Sequence, residues 1–117
     1  MLSGAEVMIP EIIDYEIRRE LLRADKLPGI QRLDAFAGLL GYLPIKTAVF
    51  RLAAQLWASA RKQGRPTADE ASLDIDVILC AQALELGRER YDPVIATTNV
   101  RHLSRFTRAA HWKELIV

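Results

Sequence analysis

Residues 74–86 read as a helix with almost no polar face: Val77, Ile78, Leu79, Cys80, Ala81, Ala83 and Leu84 crowd its sides, and Gly87 ends it. A helix that is apolar all round must be covered all round, so the rest of the chain has to supply layers about it. The 117 residues suffice for one domain, 1–117, with a core that buries roughly two-thirds of the unfolded surface. Half the residues are apolar and 26% are charged, which excludes disorder and collagen-like repeats.

Charge and cysteine narrow the function classes. Lys and Arg total 16 against 15 Asp and Glu, so no overall field draws the chain onto nucleic acid or membrane, and any such partner must use a local patch. Apolar runs such as 77–81 fall far short of the roughly 20 residues that span a bilayer, and the first ten residues lack a basic leader region. A cytoplasmic location is the expectation. The single cysteine, Cys80, allows neither an intrachain disulfide nor a thiolate zinc cluster.

Along the chain, Val7, Met8 and Ile9 form an apolar run that Pro10 hands over to a helix across 11–24. Asp25 and Pro28-Gly29 break it, a second helix is expected over 30–40, and a short buried strand over 42–45. In 47–62, Val49, Leu52, Ala53, Leu56 and Ala60 recur at helical spacing, with Gly64 as a stop and Pro66 beyond. A polar connection, 67–72, leads to the apolar helix. Residues 94–98 read as a fully buried parallel strand, followed by a loop, a short helix at 109–114 and an edge strand at 115–117. Strands alternating with helices predict an α/β fold with a parallel sheet and right-handed crossovers. Trp57 and Trp112 are expected in the core.

Several acids stand where apolar residues are expected. At about 100° per residue, Glu16 and Glu20 fall between Ile12 and Ile13 on the first helix, at the edge of its apolar arc. Burying a carboxylate without a partner costs several kcal/mol, so Glu16 asks for a cation, whether a metal or a neighbouring Arg19 or Arg23. For Glu20 the helix-surface ion pair is expected. Asp76 shares a face with Cys80 and Ala83 and reads either as a first-turn carboxylate on the helix dipole or as a ligand, with Asp74 as the cap. Asn99 ends the strand at 94–98, where ligand sites of open α/β sheets gather, though a turn-forming Asn explains it locally. Arg101, Arg105 and Arg108, with Phe106 among them, read as a phosphate-contacting strip or as a solvated loop. His102 and His111 lack a third ligand for zinc. There is no Gly-rich phosphate loop, G-x-S-x-G elbow or H-E-x-x-H stretch.

Three stretches together carry a family resemblance. IPEIIDYEIRREL at 9–21 resembles the second strand and following helix of PIN-domain nucleases, LDIDVILCAQA at 73–83 their third acidic motif, and VIATTN at 94–99 with HLSRF at 102–106 the fourth. The match follows the family's order over nearly the whole chain. It implies a three-layer fold with a central parallel sheet flanked by helices, and a Mg2+- or Mn2+-dependent ribonuclease of the kind found as toxins of bacterial toxin-antitoxin pairs. Glu16 and Asp76 would then bind the metal, Asn99 would stand where many relatives carry a fourth Asp, and Arg101 and Arg105 would contact RNA. The family's first strand, which ends in an Asp, has no counterpart between Met1 and Glu6, so the resemblance implies a domain lacking its N-terminal strand-helix unit. The expected partners are an RNA substrate, an antitoxin protein or a second copy of the chain. The competing reading is a catalytically inactive PIN-like module that binds protein or dimerises.

Overall fold

The computed structural model describes residues 7–64, 70–89, 93–97, 103 and 107–111, with the side chains of 70–72, 97, 110 and 111 outside that description. Their order is β1 (Ile9–Pro10), α1 (Glu11–Arg23), α2 (Leu27–Leu40), β2 (Tyr42–Leu43), α3 (Thr47–Lys62), α4 (Glu70–Gly87), β3 (Ile95–Thr97) and β4 (Ala109–His111).

The apolar helix is covered as its composition demands. Val49, Ala53 and Ala60 of α3 pack against Leu73, Val77 and Ala81 of α4, and alanines on both helices let the backbones approach closely. On the opposite flank Ile75, Leu79 and Cys80 of α4 meet Ile12 of α1 and Leu103, with Ile95 of β3 and Ala109 of β4 packed against the same cluster. Ile45, Leu56 and Ile78 touch both clusters and join them.

The expected central sheet is not what forms. The described strands are two or three residues long and make two separate parallel pairs, β1 with β2 and β3 with β4. The molecule is mainly helical, which corrects the three-layer α/β expectation. Proline supplies one physical reason: Pro10 brings no ladder donor at the end of β1, and Pro44 follows β2 directly, so neither strand lengthens. Helix α4 is buried by helices α3 and α1 instead of lying on a sheet.

Other expectations also change. Residues 94–96 are not fully buried, since Val94 and Ile95 are half-buried and Ala96 is exposed, and at β2 Tyr42 is exposed. Residues 109–111, expected to open a short helix, instead pair as β4 with Ile95↔Ala109 in register; 112–117, with Trp112 and the expected last strand, lie outside the described residues. Helix α2 begins before the expected break and carries Pro28 in its first turn, where a missing N–H costs nothing. Gly29 sits inside that helix because a Cβ there would lie 2.6 Å from Leu21 Cδ2, so its absence permits the close approach of α1 and α2. Asp25, at φ 53°, makes the turn between them. Trp57 is half-exposed, with the Arg61 guanidinium 5.5 Å above its ring, and is not a core residue.

Candidate functional site

Two of the carboxylates singled out in the sequence sit on the two helices that share the second cluster. Ile12 and Ile13 of α1 pack against that cluster, and Glu16, which projects between them on the helix wheel, is half-buried. Asp76 is half-buried on the α4 arc between Leu79 and Cys80, both of which belong to the same cluster. Asn99, Arg101, His102 and Arg105 lie outside the described residues, and Arg108 is exposed next to β4.

The local alternatives can now be weighed. Helix α4 starts at Glu70, so Asp76 lies beyond its first turn, where the dipole of a helix N-terminus acts most strongly. The same start places Asp74 within the helix, exposed, so it is not the cap that its spacing suggested. On α1, Glu20 accepts from Arg23 at 2.9 Å, as expected of an (i, i+3) pair. The Arg19 guanidinium lies 5.2 Å above the Tyr15 ring. Among the described residues the ion pairs of α1 are Arg18–Asp14, Arg18–Asp34 and Arg23–Glu20, and Glu16 belongs to none of them.

Asp76 acts electrostatically on its neighbour. Burial, and after it the Asp76 charge, push the Cys80 thiol up to about 12. Cys80 is fully enclosed, and its Sγ makes a weak 3.9 Å contact to Leu103 O. A thiol held neutral and enclosed is a packing group, not a nucleophile.

A polar network that the sequence reading did not single out lies on another face of α1. Asp14 accepts from Arg18 Nε at 2.9 Å and Nη2 at 3.2 Å, and from the Tyr42 hydroxyl at 2.7 Å. Arg18 Nη2 also donates to Asp34 at 2.7 Å, so one guanidinium ties α1 to α2. The Arg18 hydrogen bonds hold the Asp14 carboxyl below its ordinary value against the opposing effect of burial, and the Tyr42 hydroxyl adds to the lowering. The carboxylates in turn hold Arg18 above its ordinary value, Asp14 more than Asp34. The (i, i+4) spacing of Asp14 and Arg18 was the signal available in the sequence. Glu11 Oε1 accepts from Ile45 N at 2.8 Å, which fixes the carboxylate between α1 and the segment leading into α3.

Gln82 was equally invisible in the apolar run. It is 1% exposed and donates through Nε2 to Leu43 O at 2.8 Å and Pro44 O at 3.1 Å, while its Oε1 has no partner among the described residues.

Among the described residues no group of three or more His, Cys, Asp or Glu is arranged to hold a metal ion. Glu16 and Asp76 alone are a donor set of hard carboxylate oxygens, which suits Mg2+ or Mn2+, since Mg2+ commonly takes one or two protein carboxylates and keeps several waters. No described helix is long and apolar enough to cross a membrane. No family model, curated protein or solved structure matches the chain.

Proposed function

We propose that this chain is a divalent-cation-dependent ribonuclease of the PIN type, acting in the cytoplasm as the toxin of a toxin-antitoxin pair. The observation that supports it is the pair of half-buried carboxylates, Glu16 and Asp76, on the two helices bordering one apolar cluster. Neither acid is explained by the simplest local role, since Asp76 lies beyond the first turn and Glu16 is outside the ion pairs of α1. In this reading Glu16 and Asp76 hold Mg2+ or Mn2+, whose contribution when bound is to polarise a phosphoryl oxygen and lower the pKa of water. Asn99 orients water or a phosphate oxygen, and Arg101 and Arg105 neutralise the RNA backbone. An amide at Asn99 adds no negative charge, so metal affinity is set by two acids.

Calorimetric titration with Mn2+ and RNA cleavage with and without the ion test the reading together. Heat of binding and cleavage that both vanish in Asp76→Asn and in Glu16→Gln are the expected result. Cleavage that survives Asp76→Asn, or that ignores chelation, sinks it.

A second reading, a catalytically inactive module for protein binding or dimerisation, is favoured by one observation. Phe36, Leu39 and Leu40 lie at helical spacing within about 100° of arc on α2, and Leu39 is 82% exposed. Exposed apolar patches of this kind mark interaction surfaces. Sedimentation showing a stable dimer, with no thermal shift on adding Mn2+, would select it.

A further inference from the structure

A groove of about 580 Å³ opens where β1 and β2 end and α1 and α3 begin. Ligand sites of parallel strands gather at this end. Tyr15 of α1, Tyr42 of β2 and Phe50 of α3 line it, together with Ile45. Tyr15 and Phe50 are 55% and 54% exposed, far more than ring packing alone would leave. The Tyr42 ring is held in place by its hydroxyl's bond to Asp14.

The charge beside these rings is one-sided. Glu11 and Asp14 line the groove and Asp34 stands behind it, against the single guanidinium of Arg18, which is already engaged by Asp14 and Asp34. This local acidity stands out in a chain whose formal net charge is +1. Phosphate would meet three carboxylates and an occupied arginine, so the backbone of a nucleic acid is disfavoured here. A cation with a flat apolar face fits both features. Guanidinium is weakly hydrated, stacks on aromatic rings and pairs with carboxylates in a planar fork, whereas ammonium keeps its water more tightly.

We propose that the groove formed by Tyr15, Tyr42 and Phe50, with Glu11 at its mouth, docks an arginine side chain presented by an extended basic segment of a partner protein. The groove is larger than one side chain, so residues flanking the arginine share it. Glu11 is positioned by the Ile45 N–H and offers its carboxylate without a change of backbone. The proposal does not depend on nuclease activity.

The test is a titration of the full-length, 15N-labelled chain at low salt with an acetylated Arg-Leu-Arg amide. Lys-Leu-Lys and Glu-Leu-Glu amides and a uridylate tetranucleotide serve as comparators. The expected result is saturable shifts at the Glu11, Tyr15, Tyr42 and Phe50 amides, strongest with the arginine peptide. Glu11→Gln, which keeps an acceptor for Ile45 N, and Asp34→Asn should each weaken binding about threefold while the circular dichroism spectrum is unchanged. Rising salt should weaken it further. No saturable shift at these amides, equal binding of the acidic peptide, or tighter binding of the tetranucleotide in the groove overturns the proposal. The readout is chemical shift, so failure of the cleavage assay leaves this result standing, and the reverse holds too.

Discussion

The two sides of α4 are built by different rules. Toward α3 the interface is a dry seam of Val49, Ala53, Ala60, Leu73, Val77 and Ala81, each of them buried. The α1–α2 pair instead buries only Ile12 and Leu33 among its described side chains, and it leaves Phe36 and Leu39 in solvent. Its cohesion draws on the Arg18 bridge between Asp14 and Asp34 and on the close approach at Gly29. One region is held by shape, the other substantially by charge. The lesson is that the seam should resist salt and pH, whereas the helical pair should respond to both.

The largest test of that contrast is truncation. Leu73 is 2% exposed in the seam, and Leu73→Ala should cost about 3 kcal/mol in urea unfolding. Leu39→Ala, on the exposed side, should change stability by less than about 0.5 kcal/mol. Comparable losses would erase the distinction.

Next comes alkali. The Cys80 thiol stays neutral in the folded state up to about 12, whereas an unfolded thiol ionises near pH 8.5. Its contribution is therefore complete below about pH 8.5 and is lost as pH rises toward the folded value, at up to about 1.4 kcal/mol per unit. Denaturation series from pH 8 to 10.5 should show a shallower decline in Cys80→Ala than in wild type. A parallel decline would mean that the thiol is not enclosed.

The smallest effect belongs to the charged side. Asp14→Asn should cost about 1 kcal/mol at pH 7, since it weakens the Arg18 and Tyr42 bonds. Because the folded Asp14 pKa is lowered, that stability is present above about pH 4, the unfolded carboxylate range, and fades as pH falls through the folded value. Wild type and variant should thus converge in acid, and a difference that persists there would contradict the network.

The sequence was most informative where periodicity was strong. The apolar helix, the spacing that placed Val49, Ala53 and Ala60 inward, and the Glu20–Arg23 pair all emerged from it. The layers did not, because short apolar runs such as 94–98 do not distinguish a sheet strand from a brief pairing, and the prolines that keep β1 and β2 short act through ladder chemistry. Asp74 and Pro28-Gly29 misled for a related reason, since capping and breaking signals are local and the packing that extends α4 and admits Gly29 is not. Of the candidate site, Glu16 and Asp76 were legible as acids on apolar arcs. The Asp14–Tyr42 bond spans 28 positions, and nothing in the local pattern announces it.

Gln82 has a mechanical consequence. Its amide grips two carbonyls of the segment that turns from β2 into α3. If α4 slid along its axis, it would have to break both bonds or drag Pro44 with it, and Ile45 and Phe50 follow a few residues on. Helix α4 also carries Asp76, so a push on either surface would be felt at the other through a single side chain acting as a rivet.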